Sequence, residues 1–264
     1  MQSLRAAGIA RIVVADNGST DGSVEALRAA DPDAVIVETG ANLGYGGGVN
    51  RAAATIAGAE ILLVSNPDVV VAPNAVEAMV AALDADATLG VVGPRIDNTE
   101  GTLYPSARTF PRLVDAVGHA FLGLIAPENR FTKRYRLLDW DHATARRVDW
   151  VSGACFAIRA ELFRAIGGFD HRYFMYLEDV DLCRRVTDAG YAVGYEPSAR
   201  VMHVQGVSAG QLPYRMLYAH HRSIMRWWWT STGPVGRLAA PAIGAGLGLR
   251  LLLATGARLL GRGR

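Results

Sequence analysis

Three carboxylates, Glu178, Asp179 and Asp181, fall within four consecutive positions of the 264-residue chain. Carboxylates this close raise one another's pKa, which brings a weak base towards its working pH. They stand where a helix is predicted to begin, and a helix N-terminus favours negative charge. Alone, that pattern describes a capping cluster on a solvated helix. The run before it, Gly167-Gly168-Phe169-Asp170 and Tyr173-Phe174-Met175-Tyr176-Leu177, is aromatic and describes the wall of a pocket instead. Two further carboxylates, Asp16 and Asp68, each follow a short apolar run, at 12–15 and 61–64.

Strand-like and helix-like segments alternate around these residues. Strands are predicted at 12–15, 35–37, 61–64 and 90–93, and helices at 23–30, about 49–57 and 73–83. Short apolar strands alternating with helices give an α/β fold with a mostly parallel sheet covered on both faces. Ligands of such sheets sit beyond the carboxyl ends of the strands, and Asp16 and Asp68 stand together on that rim. The pattern weakens from 97 to 149, which reads as irregular and loop-rich. It resumes with a strand at 151–158, a helix at 161–166 stopped by Gly167-Gly168, and a helix from Glu178 to Gly190. A strand at 191–195 and the segment 201–204, with His203, complete the reading.

Composition narrows the class. Half of the residues are hydrophobic and a fifth are charged, which excludes global disorder. Cys155 and Cys183 are too few and too isolated for a disulfide framework or a zinc cluster. No apolar run of signal-peptide length precedes the first strand. The last acidic residue is Glu196, and nine arginines follow it. A basic tail on an otherwise acidic chain points to an anionic partner. Residues 214–229 mix aromatics with arginine, and 238–249 form an uncharged apolar stretch too short to span a bilayer. Drawn as a helix, Arg237, Arg250, Arg258 and Arg262 fall within an arc of roughly 140°. With Trp227-Trp228-Trp229 suited to a headgroup boundary, the tail reads as an interfacial amphipathic segment. No nucleic-acid motif is present.

Four short motifs in order resemble the family 2 glycosyltransferases, and the likeness extends across nearly the whole chain. Asp16-Asn17-Gly18-Ser19-Thr20-Asp21-Gly22 resembles that family's nucleotide-binding turn, and Asn42-Leu43-Gly44-Tyr45-Gly46-Gly47-Gly48-Val49-Asn50 resembles its glycine segment. Asn66-Pro67-Asp68 occupies the place of its Asp-x-Asp metal motif, and Glu178-Asp179 matches its acidic pair. The resemblance implies a GT-A type, Rossmann-like domain and an inverting transfer in which Asp179 is the base and Glu178 its neighbour. It implies Asp16 on the pyrimidine, with Asn17, Gly18, Ser19, Asp21, Asn42, Gly44, Asn50, Asn66 and Asp68 around the nucleotide sugar. Asp68 and His203 are the implied ligands of Mg²⁺ or Mn²⁺.

Tyr104-Pro105-Ser106-Ala107-Arg108 and residues 173–179 resemble more narrowly the bacterial rhamnosyltransferases that act on polyprenyl-diphosphate-linked N-acetylglucosamine. That branch implies dTDP-rhamnose as donor, a lipid-linked acceptor, a cell-wall or polysaccharide role, and a cytoplasmic protein peripheral to the inner face of the membrane. The implied organisation is a glycosyltransferase domain at 1–210, with donor half 1–96 and acceptor half 97–210, and a basic helical tail at 211–264. Two departures accompany the likeness. Asn66 replaces a charged residue of the metal motif. The strand and helix that ordinarily precede the Asp16 strand are missing, since only about ten residues stand before it. A transferase with another donor sugar, or an inactive binding or scaffold homologue, are the competing readings.

Overall fold

The computed structural model describes residues 1–111, 129–204 and 213–259. Elements run in the order α1 (Gln2–Ala6), β1 (Val13–Asp16), α2 (Ser23–Ala30), β2 (Val35–Glu38), α3 (Gly44–Ala53), β3 (Ile61–Ser65), β4 (Val69–Val71), α4 (Ala75–Ala85) and β5 (Leu89–Asp97). The second half holds β6 (Leu103–Tyr104), β7 (Ala107–Arg108), α5 (Arg130–Arg136), β8 (Arg146–Val148), β9 (Trp150–Val151), β10 (Cys155–Arg159), α6 (Ala160–Ala165), α7 (Glu178–Asp188) and β11 (Ala192–His203). Three helices end the described chain: α8 (Pro213–Ser231), α9 (Pro234–Arg237) and α10 (Ala240–Leu259).

A seven-stranded sheet has the order β3-β10-β5-β11-β4, with β6 added to β5 and β8 to β11. β11 is parallel to β5, and β3 runs the same way because both β3 and β5 are antiparallel to the β10 between them. β1 and β2 form a separate parallel pair, Val13 against Val35 to Asp16 against Glu38. Among the described residues no ladder joins that pair to β3. It is held to the core instead by α3 and by α1, whose Arg5 forms an ion pair with Asp31 at 2.8 Å.

The alternation of strand side chains builds a core on each face of the sheet. Val91, Phe156 and Ile158 point into one core with Leu162, Phe163, Val180, Leu182 and Val186 of α6 and α7. Val92, Cys155 and Ala157 point into the other with Met79 and Leu83 of α4.

The structure shifts several predicted elements. The helix expected at about 49–57 begins at Gly44 inside the glycine segment. The stretch 97–149 holds β6, β7, α5 and β8, each too short for a hydrophobic period to register. The two pieces expected at 191–195 and 201–204 are one strand, β11. Its register slips between Glu196 and Arg200, where Pro197 has no N–H to donate. α8 belongs to the same body, because Trp227 is buried in the core cluster of α6 and α7.

Candidate active site

The acidic helix α7 is entered through two consecutive non-glycine residues in the left-handed region, Tyr176 at φ 68° and Leu177 at φ 62°. Such positions cost of order 1–3 kcal/mol each and persist only where the surroundings over-determine them. Here Ser223 of α8 donates its hydroxyl to the Met175 carbonyl at 2.9 Å, and Leu177 packs against the core. The turn presents Glu178 and Asp179 inward.

Asp179 accepts from its neighbour Val180 N–H and from the Gly153 N–H, both at 2.9 Å. Burial raises its pKa, while the amides of Gly153 and Val180 and the charge of Arg108 act the other way. Glu178 is buried, and one of its oxygens has no hydrogen-bond partner among the described residues. Burial, then the Asp179 charge, push its pKa to about 8. Burial raises both members, but only Asp179 has the Gly153 and Val180 amides and the Arg108 charge to favour its carboxylate form, which is how adjacent acids acquire different roles. Asp181 stands apart, in an ion pair with Arg185 at 2.7 Å.

Gly153 belongs to a segment that ties the site together. The Ala154 carbonyl accepts from Asn66 N–H at 2.8 Å, Gly153 holds Asp179, and Ser152 N–H donates to the Ser106 carbonyl at 2.8 Å. Val151 and Trp150 then pair with Ala107 and Arg108. The Gly153 carbonyl also accepts the hydroxyl of Tyr45 from α3. Gly153, Tyr45, Ser223 and Arg108 were not assigned roles from sequence, because their partners lie 26 or more residues away or on unpatterned strands.

Asp68 and His203 meet as expected, with Asp68 Oδ1 3.0 Å from His203 Nε2. The Asn66 amide nitrogen is 3.5 Å from the same imidazole nitrogen. β4 and β11, paired through Val69 and His203, fix this cluster. Asn66 Oδ1 and His203 Nδ1 are buried without a hydrogen-bond partner among the described residues. A carboxylate, an imidazole and an orphaned amide oxygen fit a hard divalent ion. Among the described residues no three His, Cys, Asp or Glu side chains converge.

On the other sheet, Asp16 closes its own turn. Its carboxylate accepts from Gly18 N–H at 3.1 Å and Ser19 N–H at 3.2 Å, and hydrogen bonds from Ser19 hold its pKa below the ordinary value. Gly18 has φ +86° and gives the turn its shape. Asn17 donates to the Gly44 carbonyl at 3.0 Å, and Asp21 accepts from Ser23 at the start of α2. Asn42 accepts from Gly44 N–H at 3.0 Å.

Two expected donor contacts have their polar groups committed elsewhere. Asn50 accepts from Phe169 N–H at 2.9 Å and donates to the Phe169 carbonyl at 2.8 Å, a bracket from α3 to the aromatic loop. Gly44 is buried, and a Cβ on it would lie 2.0 Å from the Phe174 carbonyl oxygen. Both residues brace the glycine segment against the loop that carries Glu178 and Asp179. The tryptophan triplet is likewise divided. Trp227 is buried beside Phe110, Trp228 donates to the Gly236 carbonyl at 3.1 Å, and Trp229 is exposed. Arg262 lies outside the described residues.

The chain is 41% identical over 222 residues, 80% of its length and 72% of the relative's, to N-acetylglucosaminyl-diphospho-decaprenol L-rhamnosyltransferase of Mycobacterium tuberculosis. It is 33% identical over 116 residues, 44% of its length and 36% of the relative's, to rhamnosyltransferase WbbL of Escherichia coli. Its fold superposes with a TM-score of 0.54 and 19% identity on a mannosyltransferase of Pyrobaculum calidifontis solved with GDP-Man and Mn²⁺, covering 94% of this chain and 70% of that one. The description Glycosyl transferase family 2 matches residues 2–167. With the family model matching more than half of the chain and the fold that of the GT-A transferases, the chain belongs to glycosyl transferase family 2.

Proposed function

We propose that the chain transfers L-rhamnose from dTDP-rhamnose, with inversion, to N-acetylglucosamine carried on a polyprenyl diphosphate. The observation that carries the reaction is the link through residues 153 and 154, where consecutive residues hold the base Asp179 and the Asn66 backbone of the cation cluster. The sugar and the acceptor follow the mycobacterial relative, and the dTDP carrier follows the resemblance of residues 104–108 and 173–179.

Asp179 takes the proton from an acceptor hydroxyl as its oxygen attacks the anomeric carbon. The carbon–oxygen bond to the diphosphate breaks, and the nucleoside diphosphate leaves with the bonding pair. Glu178, neutral below about pH 8, leaves Asp179 as the charged member of the pair. Asp68, His203 and the Asn66 amide oxygen would hold Mg²⁺ or Mn²⁺. Such an ion, when bound, neutralises charge developing on the leaving diphosphate. Asp16, Asn17, Gly18, Ser19, Asp21 and Asn42 form the nucleotide side, with Gly44 and Asn50 bracing it from behind.

The tail meets the acceptor's membrane. Val235, Leu238, Leu249 and Leu252 expose their side chains on α9 and α10, in a segment with no carboxylate. No described helix is long and apolar enough to cross a membrane, so the contact is interfacial.

Transfer is measured with dTDP-rhamnose and N-acetylglucosaminyl-diphospho-polyprenol, with and without Mn²⁺ or Mg²⁺. Metal-dependent formation of the disaccharide-lipid is the expected result. A folded chain that leaves this pair untouched but uses another nucleotide sugar would overturn the rhamnosyl assignment.

A further inference from the structure

Beyond the effect of its charge on Asp179, Arg108 is a cation to which the reaction above gives no ligand. Its guanidinium lies 5.1 Å from the ring centre of Trp150, 5.4 Å from that of Tyr104 and 5.7 Å from that of Tyr135. It donates to the Pro105 carbonyl at 2.8 Å and to the Tyr104 hydroxyl at 2.9 Å. Those contacts fix its plane without neutralising it, and none of the ion pairs among the described residues includes it. A cation so caged is pre-organised for a planar, bidentate anion contact.

Its position along the site is set by the backbone. Reading back from Ala154, the chain meets the cation cluster at 154, the base Asp179 at 153 and Arg108 opposite Trp150. The base therefore lies between Asp68 and Arg108. A leaving diphosphate belongs at the Asp68 end, so an anion at the Arg108 end belongs to the other substrate. Helix α5, whose Tyr135 forms one wall of the cage, adds Arg130, Lys133, Arg134 and Arg136 and no carboxylate.

We propose that Arg108 binds the diphosphate that joins the acceptor sugar to its lipid. It is a specificity-determining contact, and it rests on the acceptor class proposed above. The enzyme then selects phosphorylated acceptors over simple glycosides by a charge on the base's far side from the donor.

The test compares N-acetylglucosaminyl-diphospho-farnesol with farnesyl N-acetylglucosaminide as acceptors, in the wild type, R108Q and R108K. The wild type is expected to favour the diphosphate acceptor in kcat/KM by about 100-fold, and R108Q to reduce that ratio at least about tenfold, with donor KM within about twofold. R108K, a point charge without the fork, falls between them. A wild type indifferent to the diphosphate overturns the proposal, whatever the variants do. Equal losses on both acceptors, with a shifted pH profile, overturn it in favour of an effect through Asp179. A raised donor KM overturns it in favour of the donor's diphosphate. Binding of farnesyl diphosphate to protein saturated with dTDP and Mn²⁺ separates this proposal from the rhamnosyl reading. Binding weakened about tenfold or more in R108Q upholds the anion site even where no transfer occurs, and unchanged binding removes it.

Discussion

The backbone N–H of Gly153 reaches the Oδ2 of Asp179 at 2.9 Å, and a side chain at 153 would crowd that contact. A Cβ at residue 153 would stand 3.2 Å from the Asp179 Cβ and 3.4 Å from a ring carbon of Tyr45. Gly153→Ala is expected to displace the base rather than unfold the chain. kcat should fall about 10- to 100-fold while donor KM changes little, since small misplacements at a reacting centre cost that much. Steady-state kinetics with the donor varied will check this.

Glu178 and Asp179 separate by their protonation. Asp179→Asn removes the base and should lower kcat by about 10²–10⁴. Glu178→Gln mimics the neutral acid and should retain transfer within about tenfold at pH 7. The stability signs follow from the raised pKa. The folded Glu178 keeps a proton from its ordinary 4.5 up to about 8, where the unfolded chain has released it, so stability falls as pH rises through that window. Glu178→Gln should flatten this slope and melt above the wild type at pH 8, by on the order of 5 °C. Melting curves at pH 5 and pH 8 will read it.

Asp68 and His203 touch each other at 3.0 Å, and the Asn66 amide nitrogen is 3.5 Å from the same imidazole nitrogen. Asp68→Asn or His203→Ala should raise the Mn²⁺ concentration for half-maximal transfer about tenfold or more, with acceptor KM unaffected. Titration of metal into the chelated enzyme is the measurement. The variant Asn66→Asp, which adds a carboxylate, should lower that concentration.

The two ends of the tail should respond differently. Trp227→Ala opens a cavity in the core of α6 and α7 and should cost about 3–5 kcal/mol in denaturant unfolding. Leu238→Glu with Leu252→Glu changes exposed positions and should leave unfolding nearly unaltered. The same pair should remove most binding to anionic lipid vesicles in a flotation assay.

What could be read from sequence was whatever carries its signal locally. Ser23–Ala30 is bounded by turn chemistry at Gly22 and by Pro32, and its helix stands where it was placed. Asp68 and the acid pair sit at the ends of regular elements, and residues 153 and 154 tie Asp179 and the backbone of Asn66 to one segment. Gly44 and Asn50 misled because their types suit loop caps and ligand contacts alike. Only the approach of Phe169 and Phe174 tells which role they take. Arg108 carries no local signal of a task, since its cage draws on Tyr104, Trp150 and Tyr135 from three separate elements. Trp227 and Trp229 are two residues apart and face opposite environments, which adjacency in a triplet conceals.

The break between the two sheets gives substrate a mechanical part to play. Asp16 rides on the β1–β2 pair and Asp68 on the larger sheet, with no ladder between them among the described residues. A nucleotide sugar that touches both acts as a clasp, completing a connection the backbone leaves open. Amide exchange in residues 13–16 and 35–38 should therefore slow when donor binds, more than in β5 or β10, which are already locked on both sides. Slowed exchange there would make the empty enzyme the looser one and the donor a component of its architecture.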